Sequence, residues 1–319
     1  MIRALRPTDV LAYLTFYSRL PNSRIDPDSR PADATARALP LLIGFLGRSL
    51  ALELGRETWV QIDSGRMSGL VAAKRREGAD IWDVDQLQVL PSVDSSRTAI
   101  RLLEQLLSAA VDEGISKVFL RLDDGDPAQE WVRQVGFFRY CQETTYVRPE
   151  IPTFTRPVVD QRVRRRRPAD HHSLFQLYCG AVPFRVRQAE GLTLHEWRWT
   201  DGWAVGPVGI RSVFGGLRVD FVVEAVPNAA AWLQANHGSR RLAILTGDRP
   251  DVNLSDLVTF GMLRLGAGGP AYCAVRDYQI GLAQALVDNG FGVIREESLF
   301  ARGLAVRLPE LKLVPVQAS

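Results

Sequence analysis

At 319 residues the chain is long for one domain and comfortable for two, each able to bury its own core. Its 46% hydrophobic and 24% charged residues exclude a disordered or fibrous chain. The net charge is only +3, and Lys occurs just at Lys74, Lys117 and Lys312, an arginine skew better explained by genome composition than by a nucleic-acid surface. The longest apolar run, Ala38 to Gly47, is about half of the ~20 residues a membrane span needs and contains Pro40. The charged start MIRALRPTD lacks a signal-peptide core, so the expected location is cytoplasmic. Cys141, Cys179 and Cys273 are far apart, with no metal-ligand spacing, so no metal is expected.

In chain order, Ile2 to Leu5 reads as a short strand. Pro7, Thr8 and Asp9 then start a helix whose Val10, Leu11, Leu14 and Tyr17 share one face. A second helix runs from Pro31 or Ala32 to about Leu54, kinked by Pro40. Thr58 to Ile62 and Met67 to Lys74 suit a hairpin joined by Asp63-Ser64-Gly65-Arg66.

The stretch from Ile81 to Gly114 organises the rest. IWDVDQLQVLP alternates as a strand inside a sheet, and Ala99, Leu102, Leu103, Leu106, Leu107, Ala110 and Val111 then fall at helical spacing. Strand, tight turn and helix aim free N–H groups and a positive dipole end at an anion over the turn. Val89 and Pro91, followed by this turn and helix, resemble the acetyl-CoA pyrophosphate motif of the GNAT superfamily of N-acetyltransferases. The family's loop positions fall on Asp94, Arg97 and Ala99; Ala99 matches the pattern, and Arg97 stands where a glycine is usual.

Lys117 to Leu122 reads as the next strand, and Asp126-Pro127 as the start of a helix ending at Gly136. Gly136-Phe137 then opens a final strand pair reaching Arg148. Family members commonly carry Asn, Ala and a general-acid Tyr on that helix; here the positions are Gly125, Ala128 and Val132. The resemblance thus implies the fold and the cofactor without the usual acid.

Pro149 to Gln161 has three prolines and no periodicity, so the chain divides into residues 1–150, a linker at 151–161, and residues 162–319. The second part repeats the first. Arg164, Arg167, Pro168 and Asp170 match Arg3, Arg6, Pro7 and Asp9, and Gly290-Phe291 matches Gly136-Phe137. Helices are expected around Ser173 to Tyr178, Leu192 to Trp199, Asn228 to Asn236 and Leu254 to Leu265, and strands around Ile210 to Phe214, Arg218 to Val226 and Leu242 to Thr246. The loop before Leu254 carries aspartates that repel a pyrophosphate, and Leu286 replaces the acid, so this copy is expected to be non-catalytic.

The expectation is therefore an α/β mixed-sheet protein with two tandem GNAT-like acyl-CoA N-acyltransferase domains. The resemblance implies acetyl-CoA beside Leu87 and Val89, its pyrophosphate on Ser95, Ser96, Arg97, Thr98 and Ala99. The acceptor it implies is a small-molecule or peptide amine. Asp85 and Asp83, two apart on one strand, are candidates for base or amine anchor, or else salt-bridge partners of neighbouring arginines. Tyr140 or Tyr146 is a candidate acid, or else a packing residue. Trp197, Trp199 and Trp203 wall a pocket or pack a core. Arg164 to Arg167 read better as a strand edge than as an RNA surface, so neither nucleic acid nor a membrane is the expected partner; a homodimer is compatible. The competing reading is a catalytically silent GNAT-like binding module.

Overall fold

The computed structural model of the protein describes residues 1–20, 56–76, 79–92, 94–153, 162–191, 218–225, 229–247 and 252–305. The expected helix up to Leu54, the helix at Leu192, the strand at Ile210 and residues 154–161 of the linker lie outside them, as do Trp197, Trp199 and Trp203.

The first half comprises β1 (Ile2–Ala4), α1 (Val10–Arg19), β2 (Arg56–Asp63), β3 (Arg66–Arg75), β4 (Ile81–Val89), α2 (Ser95–Asp112), β5 (Lys117–Asp123), α3 (Ala128–Gln134) and β6 (Phe138–Arg148). The second comprises β7 (Val163–Arg165), α4 (His171–Ala181), α5 (Phe184–Glu190), β8 (Arg218–Glu224), β9 (Ala229–Asn236), β10 (Arg241–Thr246), α6 (Leu254–Leu265), β11 (Ala271–Arg276), α7 (Ile280–Asp288) and β12 (Gly292–Gly303). Among the described residues the order of elements is the same twice, apart from α5.

Local sequence accounts for several joints. The β2–β3 hairpin turns at Ser64 and Gly65, both at positive φ (50° and 77°), the mirror-image turn that matches strand twist. The repeated Arg-Pro-Asp motif builds the same clamp in each half. Arg3 donates to both oxygens of Asp9 at 2.6 Å, and the Arg6 N–H donates to Asp9 at 2.8 Å. Arg164 donates to Asp170 at 2.7 Å twice, and the Arg167 N–H at 2.6 Å. Arg164 also pairs with Glu224, and Arg166 reaches Asp220 and His171 Nδ1 and lies over the Trp232 ring. Half of the arginine run is thus spent inside the fold, and only Arg165 and Arg167 are exposed.

The twelve strands of the described residues form one sheet, in the order β1-β2-β3-β4-β5-β12-β6-β11-β10-β9-β8-β7. β12 runs antiparallel to both β5 and β6, and β6 runs antiparallel to β11. Each half therefore hands its last strand across the seam, and the halves are related by a two-fold axis normal to the sheet. The expected final strand pair before Arg148 is instead the single strand β6. Its eleven residues contain no turn former, and both edges are taken by strands of the second half.

The expected helix Asn228 to Asn236 is likewise corrected: residues 229–236 are strand β9. Ala and Leu favour a helix locally, but here Ala231, Leu233 and Ala235 enter one core and Trp232 the other. Burial on both faces overrides the propensity.

Helices α2, α3, α6 and α7 cover one face of the sheet, over cores that include Leu102, Leu106, Val132, Phe260 and Leu286. Helices α1, α4 and α5 cover the other, over Tyr13, Phe16, Leu174 and Val186. Phe300 of β12, fully buried, belongs to the first half's core with Leu120 and Val132. A chain ending at residue 150 lacks that side chain and leaves the outer edge of β5 unpaired. It is expected to show no cooperative thermal transition by circular dichroism, whereas the full chain melts cooperatively; a sharp melt of residues 1–150 would mean that the first half folds alone.

Candidate functional site

Strand β4 pairs with β3 along its length, but its parallel pairing with β5 stops at Val84↔Leu120. The divergence starts at a β-bulge: Val84 faces Ala73 and Gln86 faces Ala72, so Asp85 is the extra residue. Beyond Val84 the two strands are no longer paired, so residues 85–89 border a gap in the β4–β5 ladder. Leu87 packs toward the core beneath α2, whereas Gln86 faces α1 and accepts a hydrogen bond from the Tyr17 hydroxyl at 3.3 Å.

Beyond β4, the turn is tied by Ser95, whose hydroxyl accepts the Ser92 N–H at 2.7 Å and lies 2.6 Å from Ser92 O. The Asp94 side chain caps none of the first-turn N–H groups of α2, and it sits 3.5 Å from the exposed Arg97 guanidinium. Ser96 is exposed beside it, while Thr98 and Ala99 are buried on β3. Gly69 of β3 makes that approach possible, since a Cβ there would stand 2.8 Å from Leu102 and 2.9 Å from Thr98. The turn therefore fits a phosphate group through the helix end and Arg97, with Thr98 and Ala99 acting as packing residues.

The two aspartates are separated in role by the bulge. Asp83 accepts two hydrogen bonds from Arg76, at 3.0 and 2.6 Å, over the Phe119 ring. Asp85 is more exposed and pairs with Arg56 at 2.6 Å. Tyr140 makes no hydrogen bond to either aspartate, although it lies within electrostatic reach of Arg76, the partner of Asp83. It lies on β6, three strand spacings or about 14 Å from β4, packed edge-on to Phe119. Burial, reinforced by the charge of Glu190, pushes its hydroxyl far above the usual phenol range. Tyr146 lies on the same strand, and Val132 and Leu286 are buried in the two cores.

The bulge escaped sequence reading because alternation in β4 looks regular through Asp85. A buried ionic network at the seam escaped it too. Glu143 of β6 contacts Arg121 of β5 and lies 3.6 Å from Arg276 of β11, which donates to Glu190 of α5 at 2.6 Å. Tyr178 donates to the same Glu190 at 2.7 Å. Burial raises the Glu143 pKa, but Arg121 and Arg276 outweigh it and hold the carboxyl below its ordinary range. Among the described residues no group of three or more metal-ligating side chains occurs, and no helix is long and apolar enough to cross a membrane.

No family model matches the sequence, and no curated protein does. The fold does match solved structures. A GCN5-related N-acetyltransferase from Sphaerobacter thermophilus superposes with a TM-score of 0.52 at 16% identity, covering 95% of each chain. A functionally unknown conserved protein from Staphylococcus epidermidis gives 0.50 at 10% identity, over 76% of this chain and 92% of that one. A tandem GNAT protein from the clavulanic acid biosynthesis pathway gives 0.49 at 13%, over 95% and 98%. The fold is that of the GNAT N-acetyltransferases, present twice in one chain.

Glu297 of β12 shows the cost of the seam. Burial raises its pKa above the ordinary carboxylate range, with Glu143 and Asp123 adding to the rise against Arg121 and Arg295. A raised folded-state value means stability that is present below about pH 4.3 and lost as pH climbs through the folded pKa. Glu297→Gln, neutral throughout, is expected to melt roughly 2 °C or more above the parent at pH 7, and the gap is expected to close near pH 4 in paired thermal scans.

Proposed function

We propose that the protein is an acyl-CoA-dependent N-acyltransferase whose first half binds acetyl-CoA in the gap between β4 and β5 and acetylates an amine. The carrying observation is the bulge at Asp85, where β4 leaves β5 and runs directly into the turn and α2. Residues 85–89 keep one backbone edge directed into the gap, where the amides of a thioester arm have matching donors and acceptors. The pyrophosphate then meets the first turn of α2, with Arg97 supplying the positive charge.

The acceptor approaches on the α1 side of the sheet, where Asp85 and Gln86 lie. Asp85 holds the ammonium and takes its proton; the free amine attacks the thioester carbonyl carbon, the C–S bond breaks, and the excess proton on the new amide nitrogen passes to the departing thiolate. A small amine and a peptide amine both suit this surface, and a cytoplasmic location supplies both.

The silent-module reading draws on Val132, buried where the family carries its acid, and on the burial of Tyr140, which opposes ionisation of its hydroxyl. Calorimetric titration separates the two. Acetyl-CoA is expected to bind in the micromolar range, and Arg97→Glu to weaken it at least tenfold, about 1.4 kcal/mol. No heat at ~1 mM ligand, equivalent to about −4 kcal/mol, would favour the silent module. Once an acceptor is found, Asp85→Asn is expected to lower kcat by about 100-fold with the affinity for acetyl-CoA unchanged, measured by thiol release. A kcat within twofold of the parent would remove Asp85 from the chemistry.

A further inference from the structure

The second half repeats the geometry of the first. β10 and β11 pair in parallel only at Arg241↔Tyr272 and Leu242↔Cys273, then diverge. Where they part, the side chain of Gln279 stands between them. Its Oε1 accepts the Arg276 N–H at 3.1 Å and its Nε2 donates to Ile244 O at 3.0 Å, both buried. Its backbone is equally fixed, with its N–H on Arg276 O at 2.8 Å and its carbonyl accepting from Leu282 and Ala283. Counting back eleven residues from Gly290 gives Gln279, and from Gly136 gives Gly125, which carries no side chain.

A primary carboxamide offers a carbonyl oxygen and N–H donors, the same kinds of group that an amide of a thioester arm would offer. A second observation agrees. Helix α6 starts under its own cap, the Asn253 side chain accepting from the N–H groups of Ser255 and Asp256 at 3.0 and 3.4 Å, whereas Asp94 caps none of α2. Strand gap and helix end, the two places where an acyl-CoA would be held, are both satisfied from within.

We propose that Gln279 is a built-in occupant of the second cleft, so that the chain takes one acyl thioester and its second half serves as a fixed scaffold. The count of ligands rests on the acyltransferase reading; the occupancy by Gln279 does not.

Two measurements keep these apart. Without ligand, hydrogen exchange of the peptide spanning residues 271–279 is expected to be slow, and about tenfold or more faster in Gln279→Ala, while residues 81–89 exchange as in the parent. Gln279→Glu, which sets a carboxylate against Ile244 O, is expected to do the same should the alanine variant fold poorly. Unchanged exchange in a folded variant would overturn the occupancy whether or not acetyl-CoA binds. Native mass spectrometry with acetyl-CoA is expected to show one molecule per chain, with no second site surviving in Arg97→Glu. Two molecules per chain, or slower exchange at 271–279 on adding acetyl-CoA, would overturn the single-cleft inference. Absence of any binding would count against the acyltransferase reading and leave the exchange result to decide the role of Gln279.

Discussion

The exchange of β12 and β6 across the seam is the constraint on which the rest of the structure depends. Without it, β5 and β11 would each present an unpaired central edge, and Phe300 would be missing from the core beneath α2 and α3. The exchange also forces charge into the sheet centre, where Arg121, Glu143, Arg276 and Glu190 lie under α4 and α5. Such buried pairs gain little net stability over apolar packing, but removing one partner strands the other at a cost of about 3–5 kcal/mol. Their alternation therefore disfavours other alignments of the central strands more than it strengthens the native one.

The same architecture, used twice, has two outcomes decided by a few polar groups. In the first half Asp85 bulges out of the β3–β4 register and the start of α2 has no side-chain cap. In the second, Gln279 and Asn253 supply the partners themselves. Buried backbone groups must find partners somewhere. A side chain that meets this need also removes the reason for a ligand to enter.

The placement of acids and bases follows strand order more than sequence distance. Asp83 and Asp85 are two residues apart, yet one is locked to Arg76 and the other to Arg56 at the more exposed bulge. Tyr140 stands on β6, with β12 between it and β5, and still packs edge-on to Phe119 of β5. The phenol then sits in a buried environment that opposes ionisation.

Features set by neighbours along the chain could be read before the fold was known. The Ser64-Gly65 turn, the apolar stripe of α2, the repeated Arg-Pro-Asp clamp and the order of most elements were legible because each is fixed within a few residues. Long-range packing, by contrast, makes residues 229–236 a strand, leaves β6 without a hairpin partner of its own, and puts Asp85 out of register. Only the fold, likewise, sets the Gln279 carboxamide across β10 and β11. Those outcomes depend on which strand lies alongside. That pairing is chosen by burial and hydrogen-bond satisfaction over the whole sheet, a sum that no local window of sequence contains.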